Sequence, residues 1–197
     1  MPGGLIRRAA SLIETVSVAT LIRTHPGADR WKSGVVTDAP AVFIPRLRGV
    51  FYRAVDPQFM EYAIAGSRSP GRYSRADQPT LYLSSTRAGV QTAMIAHKDS
   101  RAAVLEIVEV DVDADRIVDL RDTAALSVLG VDLADAIAPW QPAVADGETP
   151  SSWAVRDRLV GAGANGLIDP SRRQPGQWHL VLFRWNEPDA PTVTLRR

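Results

Sequence analysis

The sequence predicts an α+β domain, a curved mixed β-sheet with flanking helices. Three observations predict it. Period-2 alternation of apolar and polar residues, clearest over residues 102–112, marks strands. Stretches with helical spacing lie between such segments, opened by capping residues such as Asp56 before Pro57. Strands and helices also follow one another in a mixed order that suits an α+β domain around a curved sheet.

Taken in order, residues 9–23 place Leu12, Ile13, Val16, Ala19 and Thr20 near one helical face, and His25-Pro26-Gly27 ends that helix. Residues 27–48, rich in Gly, Pro and Asp, read as a loop or an embracing arm. The chain thus divides into an N-terminal helix and arm over 1–48 and a main domain over 49–197. A strand at 49–54 opens the main domain. Asp56 and Pro57 start a short helix that runs through Tyr62. Residues 65–79, with Gly66, Pro70, Gly71 and Pro79, form a loop. A short strand at 80–84 leads to Ser85, which caps a helix to about Lys98 with Val90, Met94 and His97 on one stripe. In the strand at 102–112, Val104, Glu106, Val108, Val110 and Val112 share one face. Further elements are a strand at 116–120, helical pieces at 122–128 and 131–138, and a loop over 139–150. A helix from 153 to 161, capped by Ser151 or Ser152, precedes strands at 166–169, 178–185 and 192–195.

Bulk properties narrow the function. A chain of 197 residues with 45% hydrophobic content has enough material for one real core. Lys and Arg total 23 against 22 Asp and Glu, a balance unlike that of a general nucleic-acid binder. Basic residues cluster locally at Arg68, Arg72 and Arg75, and again at Arg172 and Arg173. The absence of cysteine excludes disulfides, thiolate metal sites and cysteine nucleophiles. His25, His97 and His179 lack metal-ligand spacing, so no metal is expected. No apolar run approaches the roughly 20 residues of a spanning helix, and the N-terminus lacks a signal-type apolar core. The expectation is a cytoplasmic protein without direct membrane or nucleic-acid contacts.

Three separated segments carry polar side chains that packing alone does not require. They are Gly49-Val50-Phe51-Tyr52-Arg53-Ala54, then Gly71-Arg72-Tyr73 leading to Thr80-Leu81-Tyr82-Leu83, then Asn165-Gly166-Leu167-Ile168-Asp169-Pro170-Ser171. Each residue also has an ordinary reading. Arg53 can bridge to Asp56 or Glu61, Tyr82 can be a core aromatic, Arg72 and Tyr73 can be plain loop residues, and Ser171 can cap a turn. Glu106, on the valine face of its strand, needs a partner or a use if it is buried there.

In their order and context these segments, with Glu109-Val110-Asp111-Val112 and His179-Leu180-Val181-Leu182-Phe183, resemble the RES-domain toxins of RES–Xre toxin–antitoxin pairs. That resemblance implies an ADP-ribosyltransferase-like fold and an enzyme acting on NAD+ as transferase, glycohydrolase or phosphorylase. It implies that Arg53, Arg72, Tyr73, Tyr82 and Ser171 bind NAD+, with Arg53, Tyr82 and Ser171 also catalytic. It further implies an Xre-type antitoxin covering the active site and a protein target of ADP-ribosylation; homodimerisation is left open. The chain departs from the family pattern at the helix after the Leu-Tyr-Leu strand. There the family carries a Glu where this sequence has Ala93. Gln91 lies about 200° away around the helix, and Glu106 is the other candidate to replace the carboxylate, with Arg53 as its partner. The departure keeps a second reading in play, a catalytically impaired nucleotide- or partner-binding module.

Overall fold

The computed structural model describes residues 41–67, 69–96 and 105–196. The N-terminal helix expected at 9–23, the arm up to residue 40, and Arg68 and His97 lie outside the described residues.

Strand β1, Leu47–Val55, sits near the centre of a seven-stranded sheet. With β2 (Leu81–Ser84), β3 (Glu106–Ala114), β4 (Ile117–Asp119), β5 (Gly166–Pro170), β6 (Trp178–Leu182) and β7 (Thr192–Leu195), the order is β4-β5-β6-β2-β1-β3-β7. Only β4 and β5 run parallel; the other neighbours are antiparallel. The α+β expectation therefore holds: an open mixed sheet with helices packed on it.

Helix starts follow local chemistry. Asp56 caps the 3₁₀ helix Pro57–Tyr62 by accepting from the Gln58 N–H. Helix α1, Arg87–Ala96, is capped not by Ser85 but by Thr86, whose Oγ1 accepts from the Gly89 N–H at 3.0 Å. Asp122 and Asp132 cap α2 (Thr123–Leu129) and α3 (Leu133–Ile137). The predicted loop at 139–150 contains a further helix, α4, Trp140–Ala145. Its prolines were misleading: Pro142 falls in the first turn, where the backbone N–H has no intrahelical acceptor to lose. Helix α5, Ser151–Gly161, begins earlier than predicted, and neither serine caps it. Ser152 instead donates to the Arg72 carbonyl at 2.6 Å, and Ser151 donates to the Asp135 carbonyl.

Alternation along the strands produces two cores, one on each face. One face gathers Phe51, Leu81, Leu83, Val110, Val112, Ile117, Ile168, Leu180, Leu182 and Val193, with Ile44, Ile64, Trp178 and Trp185 packed against them. Phe51 meets Trp178 edge-on at 5.7 Å. The other face gathers Val118, Leu167 and Val181 with Leu126, Val131 and Ala136 of the α2–α3 region and Val155 and Leu159 of α5. This helix-covered face carries the polar site. Gly166 shows how tightly β5 and β6 approach: a Cβ there would lie 2.2 Å from the Val181 carbonyl oxygen. Among the described residues, no helix is long and apolar enough to cross a membrane.

Candidate functional site

Register places a row of polar side chains across five neighbouring strands. Asp169 of β5 stands opposite His179 of β6, His179 opposite Ser84 of β2, Ser84 opposite Tyr52 of β1, and Tyr52 opposite Glu109 of β3. Directly opposed residues in a sheet share a face, with Cβ atoms about 5 Å apart. All five therefore point to the helix-covered side. The Ser84 Oγ and the His179 Nδ1 are hydrogen-bonded at 2.9 Å. At one end, the Arg87 guanidinium pairs with Glu109 at 2.7 Å and lies over the Tyr52 ring, 5.3 Å from its centroid. At the other end, the Tyr73 hydroxyl donates to Asp169 at 3.1 Å, and Arg172 lies 3.9 Å from the same carboxylate.

Burial sets the electrostatics. Only 5% of Asp169 is exposed, and desolvation pushes its carboxyl above the usual range, opposed by the charges of Arg172 and Arg72. Desolvation lowers the His179 imidazole against the pull of Asp169. The fully buried Tyr73 phenol is held well above its ordinary value by burial and then by the Asp169 charge. Arg72 is lowered by burial and by the neighbouring Arg172 charge, so two guanidiniums crowd one side of the row. Both reach carbonyls at the end of α3, Arg72 that of Ala138 and Arg172 that of Ile137 at 3.4 Å.

The predicted residues divide between the two faces. Tyr82, two positions before Ser84, shares the helix-covered side. Its hydroxyl accepts from the Tyr73 backbone N–H at 3.0 Å and meets the Ser74 Oγ at 3.1 Å. The phenol thus clamps the loop carrying Arg72 and Tyr73. Gly71 is required beside it, since a Cβ there would lie 2.7 Å from the Tyr82 hydroxyl and 2.9 Å from Ser74 Oγ. Ser171 follows β5; its Oγ accepts from the Gln174 N–H at 3.2 Å, so it caps the turn leading to Gln177.

Arg53 is placed otherwise. It stands opposite Val108, in phase with Phe51 and Val55, on the face away from Tyr82. Its half-buried guanidinium donates to the Ala63 carbonyl. Glu106 is exposed at the start of β3, opposite Val55. The expected Arg53–Glu106 pair does not form, and the expected convergence of Arg53 with Tyr82 and Ser171 is corrected by strand parity: one residue of offset reverses the face.

Sequence reasoning missed Ser84, His179 and Asp169 as a group. Period 2 was the available signal for two of them, since Ser84 follows Tyr82 and Asp169 precedes Ser171 by two positions. His179 joins them only through the pairing of β6 between β2 and β5. Beyond Arg87, helix α1 adds a wall of uncharged residues. Gly89 approaches Gln177, and Thr92 Oγ1 donates to Gln174 Oε1 at 3.0 Å. Helical spacing puts Ala93 on the side of Gly89, while Gln91 is exposed. Among the described residues, no group of three or more His, Asp or Glu side chains is placed to hold a metal ion.

The chain belongs to the RES domain family, whose model matches residues 43–196. Among solved structures it is similar to one described as the crystal structure of the M. tuberculosis MbcT–MbcA toxin–antitoxin complex, with a TM-score of 0.55 and 17% identity. That match covers 79% of this chain and 85% of the other, and at this identity it concerns the fold. No curated protein matches the sequence.

Proposed function

We propose that this protein is the toxin of a toxin–antitoxin pair and cleaves the nicotinamide–ribose bond of NAD+ in the cytoplasm, passing ADP-ribose to water, phosphate or a protein target. The observation that carries this reading is the juxtaposition of Arg72 and Arg172 beside the row from Asp169 to Tyr52, in which Asp169 and Ser84 are buried. Two neighbouring guanidiniums, each with donors that no described residue takes up, suit a pyrophosphate. A carboxylate held near them suits the positive charge that develops on the ribose as the bond breaks. Tyr73 and Tyr82 shape the loop that presents Arg72, and Ser171 shapes the turn that presents Arg172. An Xre-type antitoxin covering this basic mouth completes the reading.

Incubation of the full chain with NAD+ tests it: nicotinamide should be released, and Arg72→Ala should lower the rate at least tenfold by weakening NAD+ binding. Free ADP-ribose, ADP-ribose phosphate and labelled protein as products distinguish hydrolysis, phosphorolysis and transfer. No nicotinamide release by the wild type would overturn the proposal.

Ala93 supports a second reading, an impaired module that binds a nucleotide without turning it over. The α1 wall facing the turn is neutral at Gly89, Thr92 and Ala93. Under this reading the wild type shows an NAD+-dependent thermal shift without product, and Ala93→Glu produces turnover.

A further inference from the structure

We propose that His179 is the proton acceptor for the attacking acceptor group, with Ser84 holding the imidazole ring in place. The inference rests on the NAD+-cleaving reading above and assigns a role within the same site.

Three features of the row support it. Ser84 is 5% exposed, and its Oγ bonds the His179 Nδ1 at 2.9 Å. A hydroxyl so buried is poorly placed to be a nucleophile itself; it orients the ring. His179 is half-buried, and among the described residues its Nε2 makes no hydrogen bond. When the Nδ1–H donates to Ser84, the Nε2 lone pair is left to take a proton. Asp169 stands directly across from His179 on β5, where its charge favours the imidazolium once formed.

The remaining surroundings agree. Arg172, following β5, opposes protonation of the ring at rest. On β2, Ser84 is neutral. Glu109 of β3, beyond β1, pairs with Arg87 of α1. The cap residue Thr86 and Gly89 of α1 face the uncharged Gln177. The arrangement gives a base that is neutral at rest and becomes cationic beside a carboxylate.

The step balances. An acceptor O–H, such as that of water, attacks the ribose C1′. The new O–C1′ bond forms as the C1′–N bond breaks. The nitrogen keeps that electron pair, and nicotinamide leaves neutral. The acceptor proton passes to His179 Nε2 and then to bulk water.

Nicotinamide release by the full chain, measured against pH with NAD+ saturating, tests the assignment. The wild-type rate should fall on the acid side with one ionisation below the ordinary histidine range. His179→Gln should lower the rate by about 10²-fold or more and remove that acid limb while retaining the NAD+-dependent thermal shift. His179→Ala should regain rate in proportion to added imidazole, which a merely structural histidine would not permit. Ser84→Ala, which leaves the imidazole in place, should lower the rate and change the NMR titration of His179; it serves if the His179 variants fail to fold. An active wild type whose His179→Gln variant keeps both rate and pH profile overturns this inference alone. An inactive wild type overturns it together with the functional reading.

Discussion

Tyr73 concentrates several demands in one side chain. It is fully buried, and its hydroxyl bridges the Ala136 carbonyl and Asp169, at 3.1 Å to each. Tyr73→Phe leaves both acceptors short of a donor in a desolvated place. A loss of about 1–3 kcal/mol is expected, read as a thermal midpoint lower by several degrees. Asp169 behaves differently. Its carboxyl is raised by burial, so the folded state holds the proton more tightly than the unfolded chain does. Its contribution to stability therefore falls as pH rises from the ordinary carboxylate value, about 3.9, through the raised folded value. Asp169→Asn retains an oxygen for the Tyr73 hydroxyl and removes the charge. The variant should melt a few degrees above the wild type at neutral pH, and the gap should close as pH drops below that ordinary value. The sign for His179 runs the other way along the pH axis: its imidazole is lowered, so its contribution is complete above about pH 6.5 and is lost as pH falls below it.

Individual elements were legible where the signal was local. Asp56 before Pro57 marked the 3₁₀ helix at its observed start, and the alternating valines marked β3. The strands at 166–169 and 192–195 were placed within a residue of β5 and β7. Prolines hid α4, because sequence position alone does not tell a first-turn proline from a helix breaker. Ser151 and Ser152 read as caps, yet they spend their hydroxyls on carbonyls of other segments, a tertiary choice invisible locally. The loop–strand contact at Gly71 gives a test at this scale. Gly71→Ala should destabilise the protein by forcing its methyl toward the Tyr82 hydroxyl. Adding Tyr82→Phe removes that hydroxyl, so the two changes should combine less than additively in denaturant melts, by about 0.5–3 kcal/mol. Gly166→Ala has no such relief, because the obstacle is the Val181 backbone.

At the scale of the whole molecule, the α+β class and the RES resemblance were readable from ordered segments, while the site was only half readable. Arg72, Tyr73, Tyr82 and Ser171 fall on one side of the sheet as a group. Arg53 falls on the other, because its neighbour Tyr52 takes the register position opposite Ser84. Choosing between adjacent residues requires knowing which strands pair, and β2 pairs with β6 across nearly half the chain. Removing β6 should be fatal to the fold as well as the site. A chain ending at Gln177 exposes Leu81, Leu83 and Ile168 along two open strand edges, and it should show no cooperative thermal transition.

The position of β6 also has a consequence in time. Ser84 and Asp169 are synthesised before the strand that must slot between them. The row from Asp169 to Tyr52 therefore cannot assemble until β6 has been made. Folding order thus gates the row: a partly made chain in which β2 and β5 already exist still lacks the strand that joins them.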